Sequence, residues 1–154
     1  MISDDYEEKV KSDSQAAPEE QQVGARPRVL LADDNQFLLD RVISLLRTDF
    51  DLVGTVKDGR ALVTEAKRLR PDLIVLDITM PILNGIQAAH ELREAGSKAK
   101  FVFLTVHDEP RIVDACLAEG GLGYVMKSRL RRDLIPAITG ALSDRSFISP
   151  SSSK

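Results

Sequence analysis

The chain has one cysteine, two histidines and no tryptophan in 154 residues. A lone Cys116 cannot close a disulfide within the chain, and its place in an apolar helical stretch suits a reducing compartment, so the expected location is the cytoplasm. His90 and His107 have no further His or Cys at a ligand spacing, which removes the usual nitrogen and sulfur metal sites and leaves both as expected surface residues. Long apolar runs are absent as well. The longest are short pieces such as FVFLTV (101–106), far below the roughly 18–20 residues that a bilayer helix needs, so no contact with a membrane is expected. The N-terminus, MISDDYEEKV, lacks both the basic start and the apolar core of a secretory signal. A surplus of positive charge is missing too: residues 1–27 carry seven Asp/Glu against three Lys/Arg, and the remaining 127 hold 17 acids and 18 bases. That body gives no general electrostatic case for binding nucleic acid.

What is present is a globular composition, 43% hydrophobic and 29% charged, and a length that suits one domain with little to spare. Residues 1–27 scatter Ile2, Tyr6, Val10 and Val23 among polar residues, too few apolar groups to offset the entropy of ordering, and read as a disordered acidic tail. Residues 28–144 read as the domain, and 145–154, ending SFISPSSSK, as a C-terminal tail or linker. Within the domain, RVLLA (28–32), DLVGTV (51–56), DLIVLD (72–77), KFVFLT (100–105) and GYVMK (123–127) are short apolar runs. Several are continuously apolar, as strands covered on both faces are, and they predict five parallel strands.

The segments between have helical spacing. Leu38, Leu39, Val42, Leu45 and Leu46 form a stripe that Asp34 or Asn35 could cap; a second helix spans 59–69; a third begins near Asn84-Gly85; a fourth starts at Pro110 and ends before Gly120-Gly121. The fifth covers about 131–143, with Pro136 expected in its first turns. Five strand-then-helix units predict a doubly wound α/β three-layer sandwich.

In such sheets chemistry collects at the carboxyl ends of the strands, where strand order reverses. The first strand delivers Asp33-Asp34 there, the third Asp77, the fourth Thr105 and the fifth Lys127. Neighbouring carboxylates repel by roughly 4 kcal/mol per pair at 4 Å and an effective dielectric of 20, so either one acid takes up a proton or cations are recruited. Lys127 supplies one positive charge, and a hard divalent ion such as Mg²⁺ would supply the rest. A carboxylate so flanked can attack phosphorus and hold it as an acyl phosphate, with Thr105 donating to the new phosphate. Singly, each residue has a plainer reading: Asp33 and Asp34 as helix caps, Asp77 as a solvated strand end, Thr105 as a strand threonine, Lys127 as a surface charge and Tyr124 as a core aromatic. It is their joint appearance at four strand ends that points to a site.

LLADDN, LDITMPILNG, FLTVHDEP and GYVMKS resemble, in order and spacing, the four signatures of the receiver domain of bacterial two-component response regulators, over about residues 28–144. GYVMKSRLRRDLIPAI and SFISP most resemble the NarL/FixJ/LuxR-type subfamily, whose receivers precede a helix-turn-helix DNA-binding domain. The resemblance implies a flavodoxin-like (βα)5 fold with sheet order 2-1-3-4-5 and a phosphoprotein that takes a phosphoryl group on Asp77 from a sensor histidine kinase or a phosphotransfer protein of a phosphorelay. It further implies Mg²⁺ held by Asp34, Asp77 and the carbonyl of Thr79, with Asp33 acting through a bound water. Lys127 would pair with the phosphate, and Thr105 and Tyr124 would be the switch pair. The face of the fourth helix, fifth strand and fifth helix would carry the signal to transcription and could pair two copies. It implies a switch rather than an enzyme.

Two departures stand out. Ser128 follows Lys127 where the family often has proline, so a trans bond is expected. Val106 replaces the usual small residue after Thr105 and is expected to narrow access to Asp77 and slow turnover. Two other readings compete: an Asp-nucleophile phosphatase or phosphotransferase using Mg²⁺, disfavoured because Thr79 stands where such enzymes place a second Asp, and a receiver-like scaffold that is never phosphorylated.

Overall fold

The computed structural model describes residues 25–106 and 108–150. The elements run β1 (Arg28–Ala32), α1 (Gln36–Leu46), β2 (Asp51–Val56), α2 (Gly59–Leu69), β3 (Leu73–Asp77), α3 (Gly85–Glu94), β4 (Lys100–Thr105), α4 (Pro110–Ala118), β5 (Gly121–Met126), a single 3-10 turn (Lys127–Arg129), α5 (Leu130–Leu142) and β6 (Phe147–Ile148). Every pairing in the sheet is parallel, in the order β2-β1-β3-β4-β5-β6. The expected order 2-1-3-4-5 is present and continues into one further strand.

The two-sided burial of the central strands explains their unbroken apolar runs. Leu30, Ile74, Leu76, Phe101, Phe103 and Tyr124 point into one core with α2, α3 and α4; Val29, Leu31, Leu73, Val75, Val102, Leu104 and Val125 point into the other with α1 and α5. Alternate residues of each strand serve opposite layers, so no position is left for a polar group until the strand ends. Caps set the helix starts that face those ends. Asn35 Oδ1 accepts from Leu38 N–H, Asp58 Oδ1 accepts from Ala61 N–H, and Asn84 forms a reciprocal box with Gln87.

Two boundaries depart from the sequence reading, while Pro136 falls within the first turns expected for it. Gly121 opens β5 instead of closing the fourth helix: Gly120, at φ +82°, ends α4, and a Cβ at Gly121 would stand 2.7 Å from Phe103 Cε2. Pro136 sits in the second turn of α5, on its exposed side, where the Arg132 carbonyl left without an N–H donor can face solvent. The stretch from 145 is not all tail. Phe147 and Ile148 pair with Gly123 and Tyr124, and Ser149 is buried. A two-residue strand is too short to show a period, which is why the reading missed it. At the other end, the expected tail lies outside the described residues up to 24, but Arg26 already reaches the Arg47 and Thr48 carbonyls at 3.1 and 2.9 Å. His107 also lies outside the described residues. Among those described, no peptide bond is cis, so Lys127–Ser128 is trans as expected, and no helix is long and apolar enough to cross a membrane.

Candidate functional site

Strand order reverses at β1, whose neighbours are β2 and β3, and the crevice at their carboxyl ends is where the acids gather. Asp33 extends the ladder of β1 by donating its N–H to the Val56 carbonyl at 3.1 Å, and its Oδ1 accepts from Asn35 N–H at 2.8 Å. The side chain is thereby held at the top of the sheet and is only 1% exposed. Asp77 ends β3, is 4% exposed, and its Oδ1 accepts a long 3.3 Å bond from Thr79 N–H. Asp34 is exposed. One oxygen from each of the three carboxylates lies within 4.8 Å of the others.

Lys127, at the end of β5, answers part of that charge. Its Nζ stands 3.0 Å from Asp33 Oδ2 and 3.2 Å from Asp77 Oδ1. The contact with Asp33 is an ion pair without hydrogen-bond direction, since the buried Oδ2 accepts no well-aligned hydrogen bond. Burial opposes the ammonium charge, but the two carboxylates prevail and hold Lys127 above its usual pKa. For Asp77 the balance runs the other way. Burial, then repulsion from Asp33, push its carboxyl up to about 6 despite Lys127 and Thr79. Three acids and one lysine leave a net deficit of positive charge, and a buried carboxylate oxygen faces it without a directed donor. An all-oxygen donor set of this kind fits a hard divalent cation such as Mg²⁺.

That raised carboxyl has a measurable consequence in metal-free solution. Between roughly pH 4 and 6 the folded protein holds a proton on Asp77 that the unfolded chain has released, so this group's contribution to stability declines as pH rises through that window. Urea midpoints measured with a chelator from pH 4 to pH 7 should fall relative to those of Asp77→Asn, with the difference flattening above the window. A pH-independent difference would show that Asp77 is not the group responsible.

Thr105 closes β4, is 1% exposed, and shares a side-chain hydrogen bond with Tyr124 on the neighbouring strand. Tyr124 is 2% exposed within the core, so the expected switch residues touch each other and the tyrosine points inward. Val106 is 68% exposed; Phe37 and Ile82, also strongly exposed, follow the loops that carry the acids. Ile82 has φ 72°, a costly conformation for a β-branched residue. His90 pairs with Glu119 on the surface, away from the acids, and Cys116 is buried with its thiol pushed up to about 12 by burial alone.

One functional residue escaped the sequence reading. Asn84-Gly85 reads as turn chemistry, but Gly85 is there for space: a Cβ would lie 2.2 Å from the Asp77 carbonyl oxygen. The start of α3 is pressed directly on the backbone of the acid at the centre of the site, and Gly85 N–H donates to the Ile78 carbonyl at 2.8 Å. The only sequence signal was the glycine itself, seven residues after Ile78.

Residues 29–139 match the response regulator receiver domain family. Among curated proteins, the transcriptional regulatory protein YxjL of Bacillus subtilis is 35% identical over 116 residues, which cover 74% of this chain and 53% of that protein. NarL, a transcriptional regulatory protein of Mycobacterium tuberculosis, is 29% identical over 126 residues, 80% of this chain and 58% of it. The chain thus spans about half the length of the curated relatives it matches. Of solved structures, the signal receiver domain of the M. tuberculosis response regulator NarL superposes with a TM-score of 0.75 at 28% identity, covering 79% of this chain and 99% of that one. A LuxR-family two-component response regulator from Aurantimonas sp. SI85-9A1 superposes with a TM-score of 0.77 at 26% identity, covering 82% and 91%.

Proposed function

Starting from the fact that this chain belongs to the response regulator receiver domain family, we propose that Asp77 is its phosphoacceptor and that Asp33, Asp34, Thr105 and Lys127 are the groups that make it one. Receiver domains of this family are phosphorylated by histidine kinases, use Mg²⁺ at an acidic pocket and act as signalling switches, and the relatives are transcriptional regulators. The observation that carries the assignment is the Lys127 ammonium set between Asp33 and Asp77 at the ends of three strands.

Asp77 Oδ1 is engaged by Lys127 and Thr79, which makes Oδ2 the oxygen suited to act as the nucleophile. As Oδ2 forms its bond to phosphorus, the P–N bond of a donor phosphohistidine breaks and the electron pair stays on the imidazole. Lys127 is placed to neutralise a phosphoryl oxygen, and the Thr105 hydroxyl to donate to another by exchanging its bond with Tyr124. Asp33, Asp34, Asp77 and the Thr79 carbonyl would hold Mg²⁺, which when bound neutralises charge on the transferring group. Loss of the phosphoryl to water would be self-catalysed by the same groups, with Val106 at the mouth slowing it.

The phosphoryl adds up to about two negative charges, enough to bias a two-state element. The element that fits is the Thr105–Tyr124 contact, from which the face of α4, β5 and α5 would carry the signal to a transcriptional output in the cytoplasm, or to a second copy. Incubation with Mg²⁺ and acetyl phosphate, followed by intact mass, should show one acid-labile phosphoryl per chain, lost in Asp77→Asn. No uptake would favour a scaffold, and steady turnover of a phosphoester would favour a phosphatase; either outcome sinks the proposal.

A further inference from the structure

The turn that carries Lys127 is fastened from the far end of the chain. Ser149 N–H donates to the Tyr124 carbonyl at 2.8 Å, and Ser149 Oγ accepts from Met126 N–H at 3.1 Å. One residue thereby grips the backbone on both sides of Val125, and Met126 is the residue before Lys127. The same Oγ donates to Asp133 Oδ2 at 2.6 Å, and Arg129 Nε donates to that oxygen at 2.7 Å. Arg129 ends the 3-10 turn that Lys127 begins. Lys127 is therefore clamped before and after by bonds that meet on one buried carboxylate. Burial works against the Asp133 charge, but the bonds from Ser149 and Arg129, aided by Arg132, hold its carboxyl below the usual range.

Packing α5 against β5 does not require this cluster. Burying a carboxylate is costly unless it is fully paired, and apolar side chains would join the two elements without that cost. What a directional cluster adds is a defined height and angle for the turn. We propose that Ser149 is a positioning residue for Lys127, so that the segment 147–149, beyond the matched residues 29–139, belongs to the phosphoryl-accepting machinery. This rests on the assignment of Asp77 and Lys127 above. It makes the C-terminal segment sensitive to the state of the site, because whatever moves the Lys127 turn also moves the hydrogen bonds that hold β6.

The test uses the full chain, with Ser149→Ala, Ser149→Thr and Lys127→Met, and two readouts. Trace acetic anhydride labelling, read by peptide mass, gives the accessibility of Lys127 relative to Lys67, an exposed lysine remote from the site that serves as internal reference, and far-UV circular dichroism checks that each variant is folded. Ser149→Ala should raise that ratio about 5-fold and slow phosphoryl uptake from acetyl phosphate about 10-fold, with Ser149→Thr restoring both. In the Lys127→Met background, Ser149→Ala should have no further effect on residual uptake. An unchanged labelling ratio, or an equal slowing in both backgrounds, overturns the proposal. If the unaltered chain takes up no phosphoryl, the assignment of Asp77 fails, while the labelling ratio still decides whether Ser149 positions Lys127.

Discussion

Short of removing the acceptor itself, Lys127→Met should be the most damaging single change at the site, lowering phosphoryl uptake by at least about 100-fold, the usual cost of one preorganised donor to a developing negative charge. It should also destabilise the metal-free protein at pH 8 by about 3 kcal/mol, because Asp33 and Asp77 then face each other with no positive group between them. The sign of the pH effect separates this from ordinary packing loss. Asp77 already sits at about 6 with Lys127 present, and without the ammonium its carboxyl rises further. At pH 5 it therefore takes up a proton, the repulsion ends, and the gap between variant and parent in urea unfolding should narrow. Millimolar Mg²⁺ at pH 8 should recover more stability in the variant than in the parent. A gap of equal size at both pH values, insensitive to Mg²⁺, would mean that Lys127 matters only for its methylene stem.

The second large effect is expected at Gly85, which does no chemistry. An alanine there would place its Cβ 2.2 Å from the Asp77 carbonyl oxygen and 3.1 Å from Ile78 Cα. Both obstacles are backbone and cannot swing aside, so either α3 or the end of β3 must shift. Overpacking of this kind costs about 3 kcal/mol, and the shift carries Asp77 out of line with Lys127, so uptake should fall with stability. Gly96→Ala is the matched control. Its φ is +88° with nothing within 4 Å of the added Cβ, so it should cost about 1 kcal/mol through backbone strain and leave uptake unchanged. Thermal unfolding and acetyl phosphate uptake for the pair separate space from conformation. Gly85→Ala behaving like Gly96→Ala would show that α3 is not pressed on the acid.

How far the sequence could be read depended on how many residues carried each signal. The central strands announced themselves because both faces are buried, and the strand ends because polarity returns abruptly at Asp33, Asp77, Thr105 and Lys127. Asn84 marked a helix start as a side-chain cap, and Pro110 marked another as a first helical residue whose missing N–H costs nothing there. What stayed hidden was either short or distant. Gly121 looked like the end of a helix because its role, close passage beside Phe103, is a matter of tertiary space. Arg129 and Asp133 form an ordinary four-residue pair on paper, and only Ser149, sixteen residues on, shows that Asp133 faces inward.

β6 also sets where the sheet stops growing. With Phe147 and Ile148 paired, β5 no longer presents an open row of donors and acceptors, and the new margin is only two residues long. Pro150 comes next and has no N–H to offer. At this edge, a neighbouring chain seeking to add a strand would find almost no ladder to extend. The segment that steadies Lys127 thus doubles as a guard for this side of the sheet against edge-to-edge pairing.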